Sequence, residues 1–214
     1  MNTTAEVKAE TDVCCTSANA VQVVEWAAAE WGVDRVILLP DEFLARNVAR
    51  QTGIGIIAWQ GRCEVHERFT AQDILDLKEA YPGAEVLAHP ECPAEVLEVS
   101  DFAGSTAAMS DYVSSRKPRQ VVLITECSMA DNVACDAPGT EFVRPCNLCP
   151  HMKRITLQNI YEALLNEQFE VTIEPAVGER ARLAVQRMID MPPPASPARY
   201  DLVKARHHVD VELI

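Results

Sequence analysis

The chain has 214 residues, 48% of them hydrophobic and 24% charged, which are the proportions of a globular protein long enough to bury a core. Its 32 acidic and 19 basic residues leave a net charge of −13, arguing against a nucleic-acid-binding protein, whose footprint is a basic face. No apolar run is long enough to span a membrane and the first ten residues lack the features of a signal peptide, so the chain reads as cytoplasmic.

Short apolar runs alternate with helical patterns along the chain. A helix is predicted over 18–31, with Ser17 in the N-cap position, followed by a strand at 35–39 (RVILL) and a helix over 42–51. The next strand is 55–59 (GIIAW). The helix over 71–80 opens on Thr70, with Asp73 placed to complete a capping box. A strand at 85–89 (EVLAH) follows the Pro82-Gly83 break, and helices over 93–99 and 106–114 come next. A strand at 121–125 (VVLIT) precedes a helix carrying Cys127 and Cys135, then a helix over 155–167, a strand at 170–173 (EVTI) and a helix over 177–191. The strands are short, rich in Val, Ile and Leu, and not alternating, as strands covered on both faces of a parallel sheet should be. Three of them end in polar or acidic residues (VILLPDE, EVLAHPE, VVLITE), and in open α/β sheets the ligand crevice lies beyond the carboxyl ends of the strands. After Met191 the Pro-rich text of 192–214 reads as a flexible, solvated tail.

Eight cysteines in a cytoplasmic-looking chain point to metal binding, catalysis or burial rather than structural disulfides. Cys146 and Cys149 form a C-x-x-C pair in RPCNLCPHMK with no second knuckle to make a zinc ribbon. Cys149 lies shortly before a predicted helix, whose N-terminus favours a thiolate. Cys63, beside His66 in WQGRCEVHE, and Cys92, in HPEC, are both candidate single ligands, and spacing does not choose between them. Cys127 and Cys135 read as packing residues. Lone cysteines from different βα loops that converge on one point suit an iron–sulfur cluster with an open iron better than zinc. A zinc or thiol-redox module using Cys146 and Cys149 remains the competing reading.

In the order NTTAEVKAE, CTSANAV, WQGRCEVHE, HPE, GST and CNLCPHMK, the chain from Asn2 to about Met191 resembles the A-type quinolinate synthase family of de novo NAD biosynthesis. The resemblance implies an α/β fold of repeated three-layer α/β/α domains with short parallel sheets, in a pseudo-threefold arrangement around a central active site. It implies a remnant of a first, partly missing domain at 1–20, α/β domains at 21–100 and 101–191, and the tail at 192–214. The implied reaction condenses iminoaspartate with dihydroxyacetone phosphate to quinolinate, phosphate and water at a [4Fe–4S] cluster, with a functional link to L-aspartate oxidase. Cys63 and Cys149 become cluster ligands and Cys92 does not. The third ligand is expected upstream of Met1, so that the chain reads as N-terminally incomplete, and a catalytically inactive remnant is the alternative. Glu91 and His89 become the catalytic pair. Asn2, Ser17, His89, Pro90, Glu91, Ser105 and Thr106 become substrate contacts. Cys146 is left as a redox neighbour able to pair with Cys149.

Overall fold

Four of the five apolar runs become strands, each hydrogen-bonded to a parallel neighbour. The computed structural model describes residues 3–192, 200, 209 and 211–214. Strands β1 (Arg35–Leu38), β2 (Gly55–Ala58), β3 (Glu85–Ala88), β4 (Phe102–Ala103), β5 (Gln120–Ile124), β6 (Glu141–Val143) and β7 (Val211–Leu213) form two parallel sheets, ordered β1-β2-β7 and β4-β3-β5-β6. Helices α1 (Ala5–Ala9), α2 (Ala20–Trp31), α3 (Glu42–Thr52), α4 (Ala71–Ala80), α5 (Ala94–Val99), α6 (Thr106–Arg116), α7 (Met129–Asp136), α8 (Leu157–Asn166) and α9 (Pro175–Ile189) lie between and after them. The alternation is that of an α/β protein with short parallel sheets.

The second sheet explains why its strands read as unbroken apolar runs. Val86, Ala88, Val122 and Ile124 point into one core, shared with Leu38, Ile56 and Ala58 of the first sheet. Leu87, Val121 and Leu123, one residue out of step, point into another core, built with Phe102, Met109 and Val113. Side chains alternate across a strand, so burial of both faces demands an apolar residue at every position. This sheet also draws β3 from one side of the expected 100/101 boundary and β4, β5 and β6 from the other.

Local chemistry sets the element ends. Thr70 and Asp73 form the reciprocal capping box expected for α4. Gly53 closes α3 in the left-handed region at φ 72°, turning the chain into β2. The cap of α2 is not Ser17: the N-cap position falls on Asn19, whose side-chain oxygen accepts from the backbone N–H of Thr16, and Ser17 lies in that turn.

Two further expectations differ from the structure. Residues 170–173 are not a strand. They join α8 to α9, no described strand pairs with them, and Val171 is left 85% exposed. At Tyr200 and Val211–Leu213 the stretch 192–214 is not a solvated tail either. Tyr200 is buried, and Val211–Leu213 pair with β2, the side chains of Val211 and Leu213 reaching the first core. The rest of that expectation concerns residues outside those described. No described helix is long and apolar enough to cross a membrane.

Candidate active site

The site forms where loops from the carboxyl ends of β2, β3 and β5 meet the turn before α2. Cys63 follows β2 in a loop fastened to the start of α3. The Glu42 N–H donates to the Gly61 carbonyl at 2.8 Å, and the Cys63 N–H donates to Asp41 Oδ2 at 2.9 Å. The other Asp41 oxygen caps α3 by accepting from the Leu44 N–H at 2.7 Å. Gly61 is required there, since a Cβ would lie 2.3 Å from the Pro40 carbonyl oxygen. Burial raises the Asp41 carboxyl to about 6, against the backbone donors that favour its anion.

A 3-10 turn at His66–Arg68 then places the His66 ring between two strand ends. Its Nδ1 lies 3.1 Å from Glu91 Oε2 and its Nε2 lies 2.9 Å from Thr125 Oγ1, just past β5. The ring stacks on that of His89 at 4.4 Å and 14°. The two imidazoles are pushed in opposite directions. Burial pulls His66 down, but its interactions with the neighbouring Cys63 and Glu91 prevail, raising it to about 9. His66 is therefore an imidazolium that donates both N–H groups, to Glu91 and to Thr125. Burial, reinforced by the charge of His66, lowers His89 to about 3, so this ring is neutral. Its Nδ1 accepts from the Glu91 N–H at 3.3 Å, which leaves the proton on Nε2, donated to Ser17 Oγ at 3.2 Å. Burial tends to raise the Glu91 carboxyl, but the hydrogen bond from His66 and the positive charge of that ring outweigh it and hold it below the usual value. The neutrality of His89 also means that its 3.8 Å approach to the Glu91 carboxylate is not an ion pair.

The loop carrying Cys149 docks on this assembly. Asn147 Nδ2 reaches the Val65 carbonyl at 3.5 Å, and His151 Nε2 lies 2.6 Å from a Glu64 carboxylate oxygen. Glu126, following β5, accepts from the backbone N–H groups of Cys149 and Ser128. Cys63 and Cys149 are free, half-buried thiols packed against the same core, and the Met152 N–H lies 3.5 Å from Cys149 Sγ. Two accessible thiols on neighbouring loops suit a sulfur-ligated metal group. Cys146 is placed elsewhere: it forms a disulfide with Cys127, so its expected pairing with Cys149 gives way to a bond that ties the loop to the end of β5. That bond also sets aside the packing role read for Cys127 and the expectation of no structural disulfide. Cys92 is fully buried beneath the site, its thiol raised by burial.

Among the other expected site residues, Pro90 is buried, and its carbonyl accepts from Asn47 Nδ2 at 2.8 Å. Ser105 is buried as the N-cap of α6, accepting from the Ala108 N–H, whereas Thr106 is exposed at the first helical position. Asn2 lies outside the described residues. Sequence reasoning noticed His66 only as a neighbour of Cys63 and passed over Thr125. The signal for His66 was the C-x-x-H spacing, which lays both side chains along one short turn. A cavity of about 410 Å³ lies instead beside β1 and α2, and its lining does not include the histidines or Glu91.

The family model described as quinolinate synthetase A protein matches residues 1–190. Across all 214 residues the chain is 78% identical to the quinolinate synthase of Caulobacter vibrioides, covering 58% of that relative. It is 65% identical over 189 residues to quinolinate synthase 1 of Mesorhizobium japonicum, covering 88% of this chain and 57% of the relative. It is 60% identical over 191 residues to the quinolinate synthase of Agrobacterium fabrum, covering 89% of this chain and 54% of the relative. The chain thus spans a little over half the length of these curated relatives.

Proposed function

The chain belongs to the quinolinate synthetase A family, and from that premise we propose that its site serves the condensation of iminoaspartate with dihydroxyacetone phosphate to quinolinate, phosphate and water. The observation that carries this reading is the meeting of a carboxylate, a charged imidazole, a neutral imidazole and a hydroxyl beside two free thiols. A condensation with loss of water and phosphate needs protons removed from carbon or nitrogen and delivered to departing oxygens. Glu91, held ionised against His66, is the general base. The His66 imidazolium keeps that carboxylate oriented and is the nearest proton donor. His89, anchored by the Glu91 backbone N–H on Nδ1 and carrying its proton on Nε2, shares that proton with Ser17 and offers it to a bound substrate. Ser17, Ser105 and Thr106 offer hydroxyl contacts to the polar ends of the substrates, with Asn2 and Pro90 as further contacts. Cys63 and Cys149 would hold a [4Fe–4S] cluster, which supplies an open iron as a Lewis acid. A cytoplasmic setting beside L-aspartate oxidase would deliver the iminoaspartate.

Anaerobic reconstitution with iron and sulfide, followed by an assay for quinolinate, tests the reading. The expected result is about four irons per chain with broad visible absorbance, both lost in Cys63→Ala, and quinolinate formed only by the loaded protein. Failure to take up iron, or loading without product, rules it out.

A second reading rests on a separate observation. Ligand atoms of Cys63, His66 and Glu91 all lie within 4.8 Å of one another, a three-ligand set suited to a single divalent ion with an open position. Tight uptake of about one zinc per chain, lost in Glu91→Gln and unaffected by Cys149→Ala, is the outcome that favours it.

A further inference from the structure

The family match ends at residue 190, yet the described residues beyond it are built into the site. Tyr200 is 2% exposed and the most voluminous of the fully buried side chains. It belongs to the same buried cluster as Ala88, Ala103 and Ala20. Ala88 immediately precedes His89, Ala103 ends β4 two residues before Ser105, and Ala20 opens α2 after the Ser17 turn. The Tyr200 backbone N–H donates to the Ala103 carbonyl at 3.0 Å, and its hydroxyl donates to the Ser17 carbonyl at 3.4 Å. Burial raises the phenol, which stays protonated and keeps that donor.

Beyond Tyr200, β7 extends the first sheet. The Ile214 N–H donates to the Ala58 carbonyl at 3.0 Å, and the Gln60 N–H donates to the Ile214 carbonyl at 3.2 Å. One stretch of chain therefore grips the end of β4, which leads to Ser105, and the end of β2, which leads to Cys63. The Caulobacter vibrioides relative matches this chain throughout its 214 residues, this stretch included.

We infer that Tyr200 is a positioning residue of the proposed active site, its ring packing the turn 16–19 so that Ser17 Oγ stays in reach of His89 Nε2. The inference rests on the function proposed above for Ser17 and His89. The ring carries the effect, because a 3.4 Å hydroxyl contact is at the weak end of hydrogen bonding.

Hydrogen exchange on the full chain reads the positioning without any turnover. Tyr200→Ala should speed exchange of the backbone amides of 15–20 by at least tenfold, with the amides of β3 and β5 unchanged, and Tyr200→Phe should stay within twofold of wild type. In the iron-loaded protein Tyr200→Ala should raise the KM for iminoaspartate several-fold more than it lowers kcat, matching Ser17→Ala. Should Tyr200→Ala fail to fold, Tyr200→Leu, which keeps the core filled, is measured in the same way. Unchanged exchange at 15–20 in a folded variant overturns the inference, as does a uniform rise across both sheets. If wild type forms no quinolinate while exchange at 15–20 still rises selectively, the proposed function fails and the positioning role stands.

Discussion

Glu91 is the residue on which the proposed chemistry turns, because one carboxylate oxygen faces an imidazolium whose other nitrogen is taken by Thr125. Glu91→Gln preserves shape and removes the base. It should lower quinolinate formation by about 10²-fold or more while leaving the iron content of a reconstituted protein unchanged, as measured by metal analysis beside a turnover assay. His66 gives a signed pH dependence in the metal-free chain. Its folded value of about 9 lies above the ordinary imidazole value of 6.5. In that interval the folded state binds a proton that the unfolded state does not, so stability falls as pH rises. The contribution is complete below about 6.5 and gone above about 9. The thermal midpoint of wild type should therefore fall between those limits more steeply than that of His66→Gln.

At the scale of elements, the Cys63 loop shows how a proposed cluster ligand is held by backbone. Asp41 caps α3 with one oxygen and the Cys63 N–H with the other, and Gly61 lets the loop pass against Pro40. Gly61→Ala forces a methyl into a backbone carbonyl, so it should cost about 1–3 kcal/mol and lower the denaturation midpoint, with disproportionate loss of cluster loading. These elements were largely legible in advance. The helices of 42–52 and 71–80 and four strands follow from apolar runs and capping residues, which act within a few residues. The shorter strands β4, β6 and β7 were not, because two or three residues carry no periodicity and become strands only where a neighbour offers hydrogen bonds. The converse held at 170–173, which has strand composition and no neighbour.

At the scale of the molecule, burial is unevenly shared. Ile124 is fully buried between the sheets, whereas Leu164 on α8 is 78% exposed. Ile124→Ala should cost about 2–5 kcal/mol and Leu164→Ala less than about 0.5 kcal/mol, a contrast that denaturant titration of the two variants measures. The same unevenness governs what reading the chain alone can reach. The alternation of apolar runs with helices, the acidic balance and the ordered motifs around Cys63, His89 and Cys149 determined the parallel α/β class and the family, since each depends on residues close in sequence. The stacked His66 and His89, the Thr125 hydroxyl, the Cys127–Cys146 bond, and the return of Tyr200 and β7 to the core were decided only by the tertiary structure. Those contacts join residues tens to nearly two hundred positions apart, and a hydrogen bond or a ring stack depends on differences of an ångström that no local pattern of side chains specifies.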